Sequence, residues 1–178
     1  MPTPVLVVMA GLPGSGKSHL ATALGAVLGA PVVSVDPIEA AMWRAGIGRD
    51  QPTGLAAYVV AEEVAAGVLA LGQTVVVDAV NDVEPARAQW RGLAAARGVA
   101  LRFIEVICSD PALHRRRLEG RRRGFDGFPE PTWADVERRR EGFEAWPDAR
   151  LVIDSAADHR INVAAAREYL RTGDADSV

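Results

Sequence analysis

The sequence predicts an α/β protein in three layers, a parallel sheet held between two sets of helices, and three observations carry that expectation. Short, β-branched apolar runs recur along the chain, helical patterns lie between them, and the first run opens into a glycine-rich turn that leads into a helix. A sheet with one wet face would alternate apolar and polar residues. Near-continuous apolar runs mark strands covered on both faces, and parallel pairing then needs the intervening helices as crossovers.

In chain order, Val5 to Ala10, Val32 to Val35, Thr74 to Asp78, Leu101 to Ile107 and Leu151 to Ile153 read as the strands. The helices are expected over 17–29, 37–46, 54–72, 84–98, 110–122, 132–145 and 160–171. The first is the clearest, because Leu20, Leu24, Val27 and Leu28 fall on one face at i, i+4, i+7 and i+8. The second has a start signal: Asp36 suits an N-cap, Pro37 suits N1, and Glu39 at N3 completes a capping box. Two Gly and two Pro in GFDGFPEP, Gly124 to Pro131, forbid a continuous helix and predict a mobile loop.

At 178 residues the chain suits one domain over 1–178, with a core made possible by 49% apolar and 24% charged residues. The N-terminus lacks a basic region, its apolar run of six residues is broken by glycines, and the other apolar stretches read as too short to span a bilayer. One cysteine, Cys108, permits neither an intrachain disulfide nor a cysteine zinc cage, so a reducing, cytoplasmic setting is expected. A net charge of −3 argues against a surface devoted to nucleic acid.

The chemistry begins at GLPGSGKS, which matches the phosphate-binding P-loop (Walker A) pattern G-x-x-x-x-G-K-[ST] at every fixed position. Gly11, Leu12, Pro13, Gly14, Ser15 and Gly16 would turn backbone N–H groups inward as an anion nest at a helix N-terminus. Lys17 would meet the β and γ phosphates of ATP, and Ser18 would offer a hydroxyl to Mg²⁺. Lys17 is the only lysine among twenty basic residues. A chain that uses arginine everywhere else keeps lysine here because a compact ammonium fits among backbone N–H groups where a planar fork would not. His19 adjoins the motif and reads as an exposed first-turn residue.

Two carboxylates follow strands. Asp36, after the second, is placed to take a proton from an attacking hydroxyl, beside its capping role, and it is expected next to the strand that leads into the P-loop. Asp78 ends VVVD in the manner of a Walker B strand and would hold Mg²⁺ through water or anchor the acceptor. Asn81 and Asp82 follow as candidates for acceptor hydrogen bonds or helix caps. Trp43 and Arg44 lie near Asp36 and could line an acceptor pocket, although the tryptophans read first as core. In HRRRLEGRRR, Arg117 and Arg121 share a helix face and would bring guanidinium forks to the transferring phosphoryl group. The run Arg138 to Arg140 reads as solvated and paired with Glu137 and Glu141.

GLPGSGKS, VSVD, VVVDAVN with EPARAQW, and CSDPALHRRRLEGRRR together resemble the P-loop kinases of the AAA_33 type, a group that looks like polynucleotide 5′-hydroxyl kinase domains and chloramphenicol phosphotransferase. The resemblance implies a three-layer P-loop NTPase fold with a five-stranded parallel sheet, an Arg-rich lid at about 115–131, and ATP with Mg²⁺; the residues themselves read as a tail at 172–178, frayed from Asp174. It also implies that Asp36 is the general base, that Asp78 and Asn81 form the DxxN element, and that Arg117, Arg121 or Arg122 contacts phosphate. An adenine loop falls near Asp154 and Ser155. The chain departs from the pattern at His19 and at Val80, where relatives carry Thr.

A GTPase is disfavoured because its N-K-x-D needs a second lysine, and 178 residues argue against an AAA+ machine with its own lid domain. The expectation is an ATP- and Mg²⁺-dependent kinase acting on a hydroxyl of a small-molecule acceptor. Its alternatives are a polynucleotide 5′-hydroxyl kinase, disfavoured by the acidic to neutral segment Val32 to Gly72, and a non-catalytic ATP-binding regulator.

Overall fold

Five parallel strands, β1 (Val5–Ala10), β2 (Val32–Ser34), β3 (Val75–Asp78), β4 (Ala100–Ile107) and β5 (Arg150–Asp154), form one sheet in the order β2-β3-β1-β4-β5. The computed structural model describes residues 3–121, 124 and 130–173. The helices are α1 (Lys17–Leu28), α2 (Val35–Arg44), α3 (Thr53–Ala70), α4 (Glu84–Arg97), α5 (Pro111–Gly120), α6 (Trp133–Glu141) and α7 (His159–Thr172). The expected tail from Asp174, and all of the expected loop 124–131 except Gly124, Glu130 and Pro131, lie outside the described residues.

β1 is central and fully buried from Leu6 to Ala10, which is why its sequence has no polar face. One core layer packs Ala57, Ala61 and Ala65 of α3 with Trp90 and Leu93 of α4 against Leu6, Val8, Val75 and Val77. The other packs Leu20, Ala21 and Leu24 of α1 with Ala166 and Tyr169 of α7 against Val7, Met9, Ile104 and Ile153. Alternate residues of each strand face opposite layers, so β1, buried on both faces, is apolar throughout, while β4 and β5 carry Arg102, Glu105 and Arg150 toward the edge of the sheet.

The structure corrects three expectations. β2 does not neighbour β1: Val32 pairs with Val76 and Ser34 with Asp78, so β3 lies between them and Asp36 follows the edge strand. The capping box of α2 does not form, because the helix starts at Val35 with Ser34 as N-cap, and Glu39 Oε1 instead accepts from the Thr53 hydroxyl at 2.8 Å. Third, α3 is long and apolar enough to cross a membrane by length and composition, with mean hydropathy 1.4 over 18 residues. Its apolarity comes largely from alanine and valine, interrupted by Glu62 and Glu63. Its alanine face lies on the sheet, while Leu55, Val59, Val60 and Val64 face outward.

α6 also ends before the expected residue 145. Gly142 follows Glu141, and the chain turns through Phe143 toward Trp146.

Candidate active site

The P-loop leaves β1 at Gly11, whose φ of 142° and close approach to the Val106 carbonyl leave no room for a side chain. Its backbone is tied down from three sides. Gly11 N–H donates to the Val80 carbonyl at 3.1 Å, Ser15 N–H to the Leu12 carbonyl at 3.1 Å, and His114 Nε2 bonds the Pro13 carbonyl at 2.8 Å. A carbonyl only accepts, so that ring nitrogen carries the proton. α1 then begins with Gly16 as N-cap, without a side-chain cap or an acid in its first turn. Its first N–H groups and dipole are thus left for an anion.

Lys17 is the first residue of α1 and is only 5% exposed. It borders a cavity of about 450 Å³ with Ser18, Arg117, Arg121, Ser155 and His159 on its walls. Arg117 is held there by donating to the Ser155 hydroxyl at 2.8 Å and the Ser155 carbonyl at 3.1 Å. Arg121, the C-cap of α5, reaches Glu130 at 3.2 Å. Arg122 lies outside the described residues. His19 is exposed, as expected, but its ring stacks on His159 at 4.1 Å. Burial, His159 and Arg117 hold its basicity below the ordinary histidine value, so it is neutral at physiological pH.

Asp154 does not line this cavity. Its Oδ1 accepts from the N–H groups of Ser109 and Ala156, both at 3.0 Å, and so ties the β4–α5 loop to the β5–α7 loop. Burial raises its pKa, yet these bonds outweigh that and hold it below the ordinary carboxylate value. Ser155, Ala157, His159 and Asn162 form that wall instead. Of the two residues that the resemblance implied for this loop, Ser155 lines the cavity and Asp154 does not.

On the β2–β3 side, Asp78 is 7% exposed. Its Oδ2 accepts from the Ser34 hydroxyl at 3.2 Å, while its buried Oδ1 has no hydrogen-bond partner among the described residues. Asp36 lies in the first turn of α2, two residues beyond Ser34. Tyr58 of α3, which the sequence reading missed, joins this group. Its hydroxyl accepts from the Asn81 N–H at 3.2 Å, and burial, with Asp82 and Asp36 adding, pushes its pKa up to about 12. An aromatic residue among alanines was its only sequence signal.

Asn81 is neither an acceptor contact nor a helix cap. It is fully buried, with φ 51°; its Nδ2 donates to the Met9 carbonyl at 2.7 Å and its Oδ1 accepts from Trp90 Nε1 at 2.9 Å. Trp43 ties α2 to α3 by donating to Thr53 Oγ1 at 2.9 Å, and Arg49 stacks over its ring at 4.7 Å. Arg44 is exposed in the last turn of α2. The second arginine run is exposed, as expected, but among the described residues Arg138 pairs with Asp135 instead of Glu137 or Glu141. Arg139 approaches Asp82 at 4.0 Å, and Arg140 covers the Trp133 ring at 5.5 Å.

Among the described residues no group of three or more His, Cys, Asp or Glu side chains could cage a metal. A hard cation that keeps most of its waters needs only one or two protein oxygens. The exposed Ser18 hydroxyl and the unpartnered Asp78 oxygen are the groups that fit Mg²⁺.

The profile of the AAA_33 family, described as an AAA domain, matches residues 6–143. No curated protein matches the chain. Among solved structures it is similar to the APS kinase of Mycobacterium tuberculosis in complex with AMPPNP and APS, at 20% identity and TM-score 0.71, over 97% of this chain and 100% of that one. A gluconokinase from Sinorhizobium meliloti 1021 aligns at 19% identity and TM-score 0.65, over 97% and 99%. Kti12 of Chaetomium thermophilum in complex with ADP-AlF3 aligns at 19% and 0.69, over 92% and 97%. At these identities the likeness is one of fold, and the fold is that of P-loop kinases.

Proposed function

The chain belongs to the AAA_33 family, and from that premise we propose that it is a kinase transferring the γ-phosphoryl group of ATP, with Mg²⁺, to a hydroxyl of a small-molecule acceptor. The observation that carries this reading is the opposition of charges across the carboxyl ends of the strands. Buried Lys17 borders the same cavity as Arg117 and Arg121, while Asp36 and Asp78 follow β2 and end β3 on the other side.

Lys17 and the P-loop N–H groups would hold the β and γ phosphates, and Arg117 and Arg121 would meet the charge that spreads over the transferring group. Mg²⁺, when bound, neutralises charge between the phosphates, and Ser18 and Asp78 would hold it. Asp36 would orient the acceptor hydroxyl and take its proton, an effect of roughly 10²–10⁴-fold. Tyr58 remains protonated and can donate toward the acceptor without competing as a base. A small acceptor is supported by the carboxylates Asp36, Asp78 and Asp82, which would repel a phosphate backbone. The fold neighbours named for APS and gluconate point the same way.

The test is transfer of labelled γ-phosphate from ATP to a panel of sugars, nucleosides, antibiotics and 5′-hydroxyl oligonucleotides, with Asp36→Asn beside the wild type. Label on a small acceptor, lost in the variant while ATP binding persists, is the expected result. Label on oligonucleotides alone would replace the acceptor class, and ATP binding without transfer would leave a regulator.

A further inference from the structure

His114 takes no part in the chemistry just described, yet it is 2% exposed and touches two elements at once. Its Nε2–H donates to the Pro13 carbonyl of the P-loop at 2.8 Å. In the neutral ring Nδ1 is then the acceptor, and Arg140 Nη2 lies 3.5 Å from it. The ring edge also meets Trp133 at 5.2 Å, and Arg140 covers that same indole. From the loop side the fit is close: a Cβ on Gly14 would sit 3.2 Å from the imidazole and 3.1 Å from Leu118 Cβ.

We propose that His114 is a positioning residue that couples nucleotide occupancy of the P-loop to the placement of α6, and through Arg139 to the Asp82 side of the acceptor crevice. The inference rests on the P-loop being a nucleotide site. α6 spans nine residues, too few to be stable alone, and Val136 is its only buried residue. Its capping box from Thr132 and Asp135 fixes its start but not its seat on the body. A cavity of about 370 Å³, bordered by Leu12, Cys108, His114, Arg140 and Phe143, lies between the base of the loop and the Arg140 end of α6, so at that end, among the described residues, side-chain contacts join the two. His114 supplies the contact that also reads the loop. An element seated this weakly belongs to the low-stability end of the fold, where a shift of a neighbouring loop is felt. Arg139, one residue before Arg140, reaches Asp82 at 4.0 Å, so the same displacement is delivered to the acceptor side.

The experiment is hydrogen exchange of the α6 amides with and without AMP-PNP and Mg²⁺, in wild type and in His114→Gln. Glutamine can keep a donor to the Pro13 carbonyl but offers no acceptor where Nδ1 stood. In the wild type, nucleotide should slow exchange over 133–141 by about fivefold or more, the lower end of ordinary coupling factors. In His114→Gln, AMP-PNP should still bind within about threefold of wild type, and the nucleotide-dependent difference should vanish. A purely structural role would speed α6 exchange in both states and leave the difference intact, which overturns the proposal. So would a wild type that binds AMP-PNP with no change in α6. If the wild type does not bind AMP-PNP at all, the nucleotide reading fails and the coupling fails with it. Should His114→Gln not fold, Trp133→Leu with Arg140→Gln severs the α6 side alone and must give the same loss.

Discussion

Lys17 was legible because its chemistry is written at fixed spacing: glycines that must turn, an ammonium, a hydroxyl and a helix start, all within eight residues. The structure holds Lys17 only 5% exposed at the start of α1, where a point charge and a planar fork would meet the loop N–H groups in different geometries. Lys17→Arg should therefore keep the charge and lose the site. A charge-assisted hydrogen bond is worth ~1.5–3 kcal/mol, so AMP-PNP affinity should fall roughly 10- to 150-fold while the thermal midpoint stays near wild type. Titration calorimetry checks this, and affinity unchanged in the arginine variant would refute the point-charge argument. Asn81 and Asp154 were less legible for the opposite reason. Their roles are set by partners such as Met9, 72 residues away from Asn81, and no local spacing reports that meeting. The same holds for His114, whose partner Pro13 is 101 residues distant.

At the scale of elements, the strands could be read because burial on both faces gives a near-continuous apolar run, and the glycines at 29, 98 and 173 mark helix ends by their left-handed backbone. Strand order could not, because nothing within β2 distinguishes pairing with β1 from pairing with β3. The start of α2 moved by two residues, from 37 to Val35, and Glu39 found Thr53, a tertiary partner that replaces the local cap. Asn81 shows what holds the β3 end in place: its amide bridges the Met9 carbonyl of β1 to the indole N–H of Trp90 on α4, and its φ of 51° suits Asn better than Ala. Asn81→Ala should leave two buried polar groups unpaired and cost about 2–4 kcal/mol. Urea unfolding should show a lowered midpoint with an unchanged slope. A midpoint equal to wild type would mean that α4 docks through its apolar face alone.

Across the whole molecule, three parts meet at one imidazole, the P-loop, α5 and α6, so its protonation acts on the assembly of the fold. Burial, with Arg140 and Arg117 adding, holds the His114 pKa below the ordinary 6.5, although its bond to the Pro13 carbonyl works the other way. The native ring is then neutral where the unfolded ring begins to take a proton. Between 6.5 and the lower native value the unfolded state binds more protons, so stability is full above 6.5 and declines as pH falls through that interval. His19 is shifted in the same direction, but it is exposed and solvent screens its share. The carboxylates act in a separate window. Asp154 is held below its ordinary 3.8, so the stability it contributes persists above that value and is lost only as pH falls further. A loss of stability between about pH 7.5 and about pH 5.5 thus belongs to the histidines and not to the acids. Wild type should show a lower urea midpoint at the acidic end, and His114→Gln, which has nothing to titrate there, should show a flatter profile. An equally steep profile in the variant would place the proton uptake elsewhere. A flat profile in wild type would mean that the ring is as easily protonated when folded as when unfolded, and α6 would then have to tolerate a cation facing Arg140.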